Sequence, residues 1–129
     1  MDINTHESID RSLCGEPTAV EEGRSEVRLE CTRNMAADGS GLVHGGFIFG
    51  LADYAAMLSV NHPNVVLGAA ETRFLKPSKV GDVLVARAQD ETPQERKHLV
   101  RVEVSCGEDT VFAGTFTCFV TPKHVLADD

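Results

Sequence analysis

Residues 45–61 constrain this chain more than any other segment. They read GGFIFGLADYAAMLSVN, carry Asp53 as their one charge, and stop just before Pro63. The spacing is helical, and Pro63 forbids continuation. Phe47, Ile48, Phe49, Leu51, Ala52, Ala55, Ala56, Met57, Leu58 and Val60 leave the helix apolar nearly all round. Such a helix needs cover on more than one side. A sheet wrapped around it supplies part of that cover, and a second subunit supplies more.

The rest of the chain reads mainly as strands. Asn4 or Thr5 is placed to cap a short helix over about 5–13, stopped by Gly15 and Pro17. Residues 17–22 and 24–32 read as a strand pair, the second alternating Val27, Leu29 and Cys31 with charged neighbours. A loop rich in Asn, Asp, Ser and Gly follows over 33–43. From about 65 to 121 come four β segments, with Gly81-Asp82 and Gly107-Glu108-Asp109 as turns and Val100, Val102 and Val104 alternating with Arg101, Glu103 and Ser105. Residues 123–129 read as a frayed tail. A lone central helix must bury its apolar surface on the mostly antiparallel sheet, which predicts one α+β domain over 1–129.

Composition removes several function classes. The 129 residues carry 12 Lys and Arg against 20 Asp and Glu, a net charge of -8 that suits no nucleic-acid backbone. Trp is absent and aromatics are 5%, so base-stacking platforms are not expected either. The N-terminus lacks an apolar signal core, and Phe47 to Val60 is too short to span a bilayer. Neither membrane association nor export is expected, and a cytoplasmic location is. Cys14, Cys31, Cys106 and Cys118 are scattered, without a CxxC pair, and the five histidines have no HxxxH spacing. They predict buried thiols rather than disulfides, and no metal.

The chemistry concentrates in 41–55, GLVHGGFIFGLADYA. Gly45 and Gly46 open the helix, where backbone N–H groups lack intrahelical partners and a ligand can approach closely. At the positive end of the helix dipole, those donors suit a developing oxyanion. The alternative is that the glycines only permit tight packing on the sheet. Asp53 is a poor helix-interior residue and costly to bury without a task. Beside an activated acyl group its carboxylate can activate water as a general base, or attack directly to form an anhydride.

His44-Gly45-Gly46, the acid nine residues after His44, and the later F-x-x-P strand end at Phe74 to Pro77 with its Gly81-Asp82 turn resemble the hotdog-fold thioesterases of the phenylacetic-acid-pathway type. The resemblance implies a hotdog fold, an antiparallel sheet wrapped around one long central helix, and a thioesterase acting on an acyl-CoA or acyl-carrier-protein thioester. It implies no separate cofactor, because the coenzyme A moiety belongs to the substrate. It assigns Asp53 as the carboxylate, Gly45 as the oxyanion donor with Gly46 beside it, and His44 as a positioning residue. Asn34 is the counterpart of a water-positioning side chain, although it lies ten residues before His44, further than in the relatives. The Ser or Thr that relatives place on the following strand aligns with Leu67, and the Thr one turn after the carboxylate with Met57. Glu71 and Arg73 share the face of Leu67 by the period of two and form either a substitute polar pair in the site or an ion pair at an interface rim.

Phe47, Phe49, Tyr54 and Met57 line either an acyl pocket or the core. Lys76, Lys79, Arg87, Arg96 and Lys97 supply positive charge that phosphates at a groove mouth can meet. Distance adds an argument for assembly. Gly45 and Asp53 are eight residues apart, about 12 Å along a helix, too far for one helix to bring both onto one carbonyl. Two antiparallel helices can share them, which predicts a two-fold homodimer, with a tetramer as a pair of such dimers. The competing readings are a non-catalytic acyl-CoA sensor and, last, a hydratase or dehydratase. The D-x-N-P-[LIV]-H motif of the latter is not matched by Asp38 to His44.

Overall fold

The computed structural model describes residues 1–127. In chain order it contains α1 (Arg11–Cys14), β1 (Glu16–Glu21), β2 (Arg24–Glu30), a 3-10 turn at Arg33–Met35, α2 (Gly45–Val60), β3 (Val65–Phe74), β4 (Val83–Asp90), β5 (Lys97–Cys106) and β6 (Asp109–Val120). The strands form one six-stranded antiparallel sheet in the order β1-β2-β4-β5-β6-β3. It curls around α2, which touches every strand. This is the α+β hotdog arrangement.

Alternation decides what the sheet buries. Leu84 and Ala86 on β4, Val100, Val102 and Val104 on β5, and Phe112, Phe116 and Cys118 on β6 close on the helix. From α2, Leu51, Ala52, Ala55, Ala56 and Leu58 are wholly buried against them. Truncating Leu51 to Ala would cost about 2–5 kcal/mol, the usual range for a fully packed leucine. One polar tie crosses the layers: the buried Ser25 hydroxyl donates to the Ala55 carbonyl at 2.6 Å. Asn61 ends α2 in the left-handed conformation, its N–H donating to the Met57 carbonyl. Among the described residues, no helix is long and apolar enough to cross a membrane.

Three sequence expectations need correction. The helix expected over 5–13 is only Arg11–Cys14, because its cap is Asp10, whose carboxylate accepts the Ser12 N–H at 2.9 Å. Upstream, His6 has φ +52, which interrupts any helix, and Asn4 N–H donates instead to Asn61 Oδ1 at 2.8 Å. The described part of the expected frayed tail is folded: Ala127 N–H bonds the His124 carbonyl at 2.8 Å, and Leu126 N–H bonds His124 Nδ1 at 3.0 Å. Asp128 and Asp129 lie outside the described residues.

The third correction concerns β3. Leu67 pairs with Cys118, but Ala69 pairs with Thr117, so Gly68 is a bulge. Phe119 lies across that glycine; a Cβ there would fall 2.3 Å from the ring. The extra residue inverts the alternation. Beyond it Ala70, Thr72 and Phe74 pair with the inward Phe116, Gly114 and Phe112, while Glu71 and Arg73 pair with Thr115 and Ala113 on the outer face. Glu71 and Arg73 therefore do not share the face of Leu67.

Candidate active site

The loop before α2 closes on itself. His44 N–H donates to the Met35 carbonyl at 2.9 Å, and Ala37 N–H to the Leu42 carbonyl at 2.7 Å. Asn34 thus adjoins the residue bonded to His44, and its ten-residue separation in sequence is spanned by one closed loop. Its side chain is exposed and meets the Thr32 hydroxyl through Oδ1. The segment after β3 is tied to the same loop: Val43 N–H donates to the Ser78 carbonyl at 2.9 Å, and Leu42 bridges Lys79. The His-Gly-Gly and F-x-x-P stretches are in this way neighbours in space.

At the helix start, Phe47 N–H is closed onto the His44 carbonyl at 3.1 Å. The amides of Gly45 and Gly46 precede it in the first turn, where no intrahelical acceptor exists. Close approach explains both glycines. A Cβ on Gly45 would lie 3.1 Å from the Phe74 ring, and one on Gly46 would lie 3.0 Å from His44 Nε2. His44 itself is exposed, makes no side-chain cap bond, and meets Phe47 edge-on with ring centroids 6.1 Å apart.

Asp53 occupies different surroundings. It is partly buried, and its Oδ1 is buried without a hydrogen-bond partner. Burial pushes its carboxyl up to about 6. The group is held where ionisation is costly and proton exchange near neutrality is easy, as a general base requires. It lines a pocket of about 390 Å³ together with Thr5, His6 and His124 and an apolar wall of Met57, Pro63, Val65, Val66 and Leu67. Neither Asn34, His44, Gly45 nor Gly46 lines that pocket. Within one chain, donors and carboxylate are apart.

Other expected residues have other surroundings. Glu71 and Arg73 are exposed on the outer face. Tyr54 is buried, and Phe49 packs on Phe116 at 5.4 Å between centroids, so of the four aromatic and Met candidates only Met57 reaches the pocket. Lys76 pairs with Asp109 at 2.9 Å and Arg87 with Glu26 at 3.0 Å. Burial pushes the thiols of Cys31 and Cys118 up to about 11 and 12, which leaves them unreactive. A larger groove of about 550 Å³ lies on the outer sheet face, lined by Arg24, Arg87, Arg101 and interleaved glutamates. It shares no lining residue with the Asp53 pocket.

Sequence reasoning missed Thr5, His6 and His124. They come from opposite ends of the chain, and no spacing relates them to Asp53. The one signal available was the pair of polar residues Thr5-His6 ahead of a helix cap, which reads as capping chemistry.

Residues 40–113 match the model of the thioesterase superfamily. An uncharacterized protein from Pyrococcus horikoshii has a solved structure that superposes with a TM-score of 0.97, at 52% identity and over 98% of both chains. A hypothetical thioesterase from Streptococcus pneumoniae, solved with coenzyme A, gives a TM-score of 0.76 at 25% identity over 84% of this chain and 87% of that one. The PaaI protein of the Escherichia coli phenylacetic acid degradation operon gives 0.80 at 26% identity, over 88% and 84%. Among curated proteins, the chain is 53% identical to a methylthioribose-1-phosphate isomerase of Aquifex aeolicus over 90% of its own length but 25% of that protein's. It is 31% identical to the transcription factor FapR of Caldanaerobacter subterraneus over 88% of its length, spanning 58% of that protein. The family match covers more than half of the chain, and on it this chain belongs to the thioesterase superfamily of hotdog-fold domains.

Proposed function

We propose that the chain hydrolyses an acyl thioester of coenzyme A or of an acyl carrier protein, with Asp53 as general base or nucleophile and the Gly45 amide as oxyanion donor. The observation that carries this is the Asp53 carboxylate, desolvated and with Oδ1 unpartnered, beside a pocket with one apolar wall. Gly46 and His44 shape the approach to the donor, and Asn34 stands on the loop beside them. The Streptococcus structure solved with coenzyme A supports a ligand of that class. The pocket wall of Met57, Pro63, Val65 and Leu67 suits an aliphatic acyl group, so the aryl preference of a phenylacetic-acid-type enzyme is the finer point to test.

The site is completed by a second copy. β3 is ten residues long, is paired among the described residues only with β6, and exposes Gly68, Ala69 and Ala70 along its edge. Such an edge invites strand pairing. Antiparallel pairing of two β3 strands about a two-fold axis would set each α2 N-terminus beside the partner's Asp53 and cover the exposed Phe74 and Leu75. Glu71 and Arg73 then fall near that seam, in keeping with a rim ion pair. A pair of such dimers gives the tetramer.

A second reading is favoured by the 31% identity to a transcription factor: an acyl-CoA-binding module without turnover. Short, medium, branched and aryl CoA esters, followed with a thiol reagent and in parallel by calorimetric titration, separate the two. Thiol release abolished in Asp53→Asn supports hydrolysis; tight binding with no thiol released by the wild-type chain replaces it with the sensor.

A further inference from the structure

We propose that His6, on the segment preceding α1, is the positioning residue that holds the nucleophilic water against Asp53. This deepens the hydrolase reading and rests on it. The positions where related enzymes carry a hydroxyl for that water hold Leu67 and Met57, and both line the Asp53 pocket without a polar atom to offer. His6 and Thr5 line the same pocket from the far end of the chain.

The segment is built to hold them there. Asn61, the left-handed cap of α2, accepts Asn4 N–H at 2.8 Å and donates its Nδ2 to the Asp2 carbonyl at 2.7 Å. Thr5 is buried, and its hydroxyl lies 2.7 Å from His6 Nδ1. The His6 ring packs against Tyr54 with centroids 6.3 Å apart. Its backbone sits at φ +52, and besides Asn61 no other described non-glycine residue has a positive φ. Left-handed backbone at a side chain other than glycine is held in place by its surroundings and is enriched at functional sites. His6 is exposed as a residue, and partial desolvation of its ring lowers its pKa below the usual value, which favours the neutral form at neutral pH.

The role requires the tautomer in which Nδ1–H donates to the Thr5 hydroxyl, which leaves Nε2 as the acceptor toward the pocket. A water between the two residues gives one hydrogen bond to the accessible oxygen of the Asp53 carboxylate and the other to His6 Nε2, which leaves its lone pairs free for attack. The water oxygen bonds the thioester carbonyl carbon as its proton passes to the Asp53 carboxylate. Collapse of the tetrahedral oxyanion breaks the C–S bond, and the departing thiolate takes that proton from Asp53. His6 gains and loses nothing. The second histidine of the pocket, His124, is exposed as His6 is, but its Nδ1 accepts Leu126 N–H, so its neutral ring carries the proton on Nε2 and cannot accept from the water there.

The test is His6→Gly, which tolerates the left-handed backbone and leaves a ring-sized gap. Turnover of the best CoA ester should fall about ten- to hundredfold with KM nearly unchanged, and added imidazole should restore it. Thr5→Val, which removes the partner of Nδ1, should give a smaller loss of kcat that imidazole does not repair. If His6→Gly melts early, His6→Asn keeps the left-handed turn with a shorter side chain and should show the same kcat loss. A fully active His6→Gly, or a loss confined to KM and not rescued, alongside an active wild type and an inactive Asp53→Asn, overturns the role of His6 alone. A wild-type chain that releases no thiol from any ester overturns the hydrolase reading, and this inference with it.

Discussion

The two halves of the candidate site are built by opposite strategies. At the start of α2, the chemistry is backbone: Gly45 and Gly46 expose amides that no side chain covers from their own residue. At Asp53, two helical turns on, the chemistry is a side chain whose carboxylate burial has made reluctant to ionise. The first half is cheap to maintain, since glycine at a helix start costs little. The second is a standing destabilisation, kept in an otherwise apolar helix. Stability alone would replace Asp53 and leave the glycines, so the carboxylate is the stronger mark of function.

The sharpest way to break this contrast is Asp53→Asn, which keeps shape and removes basicity and anionic nucleophilicity. Thiol release should drop about a hundredfold or more while the fold persists. Gly45→Val comes next. Its side chain would block the amide, and the Cβ would lie 3.1 Å from the Phe74 ring, which must give by a few tenths of an ångström. Turnover should fall about tenfold or more with a modest change in melting temperature. If activity survives, the donor is elsewhere, with Gly46 as the first candidate.

Mixing the two inactive variants asks whether the halves belong to different subunits. Random exchange should restore about a quarter of wild-type activity, because half the dimers are mixed and each has one intact site. Mixed dimers without activity would refute the shared site, as would a strictly monomeric active enzyme.

The two halves also separate by pH. Asp53 works only when ionised, so kcat/KM should rise as pH increases through about 6 and level off above it. Stability runs the other way. A carboxyl raised from 3.8 to about 6 in the folded chain carries no penalty below 3.8, a growing one between, and the whole of it above 6. Asp53→Asn should therefore be more stable than wild type at pH 7 by as much as about 3 kcal/mol, and equal to it near pH 3.5. Thermal melts at the two pH values read this directly; equal stability at pH 7 would mean that Asp53 is solvated.

The long helix, the strand order along the chain and the two glycine-bearing turns were legible because each rests on local periodicity or on a residue with restricted backbone freedom. Asp53 was legible for a related reason: a lone charge inside an apolar helical run conflicts with its neighbours, and such conflicts mark functional sites. Where legibility failed, one residue sufficed to defeat it. Gly68 inserts a bulge, and the period of two then places Glu71 and Arg73 on the wrong face beyond it. Asp10 supersedes Asn4 and Thr5 as the α1 cap because the latter two are drawn to the end of α2 and to its pocket.

By itself, then, the sequence determined that one apolar helix must be wrapped by antiparallel strands, and that the helix offers bare amides at its start and one carboxylate in its middle. These follow from burial and from short-range geometry, which act between residues a few positions apart. Only the tertiary structure decided that Asn34 returns to His44 through a closed loop, that Phe74 packs on Gly45, and that Thr5, His6 and His124 gather around Asp53. These arrangements bring together residues up to 119 positions apart. Their partners are set by how the sheet curls around α2, a property that no local pattern encodes.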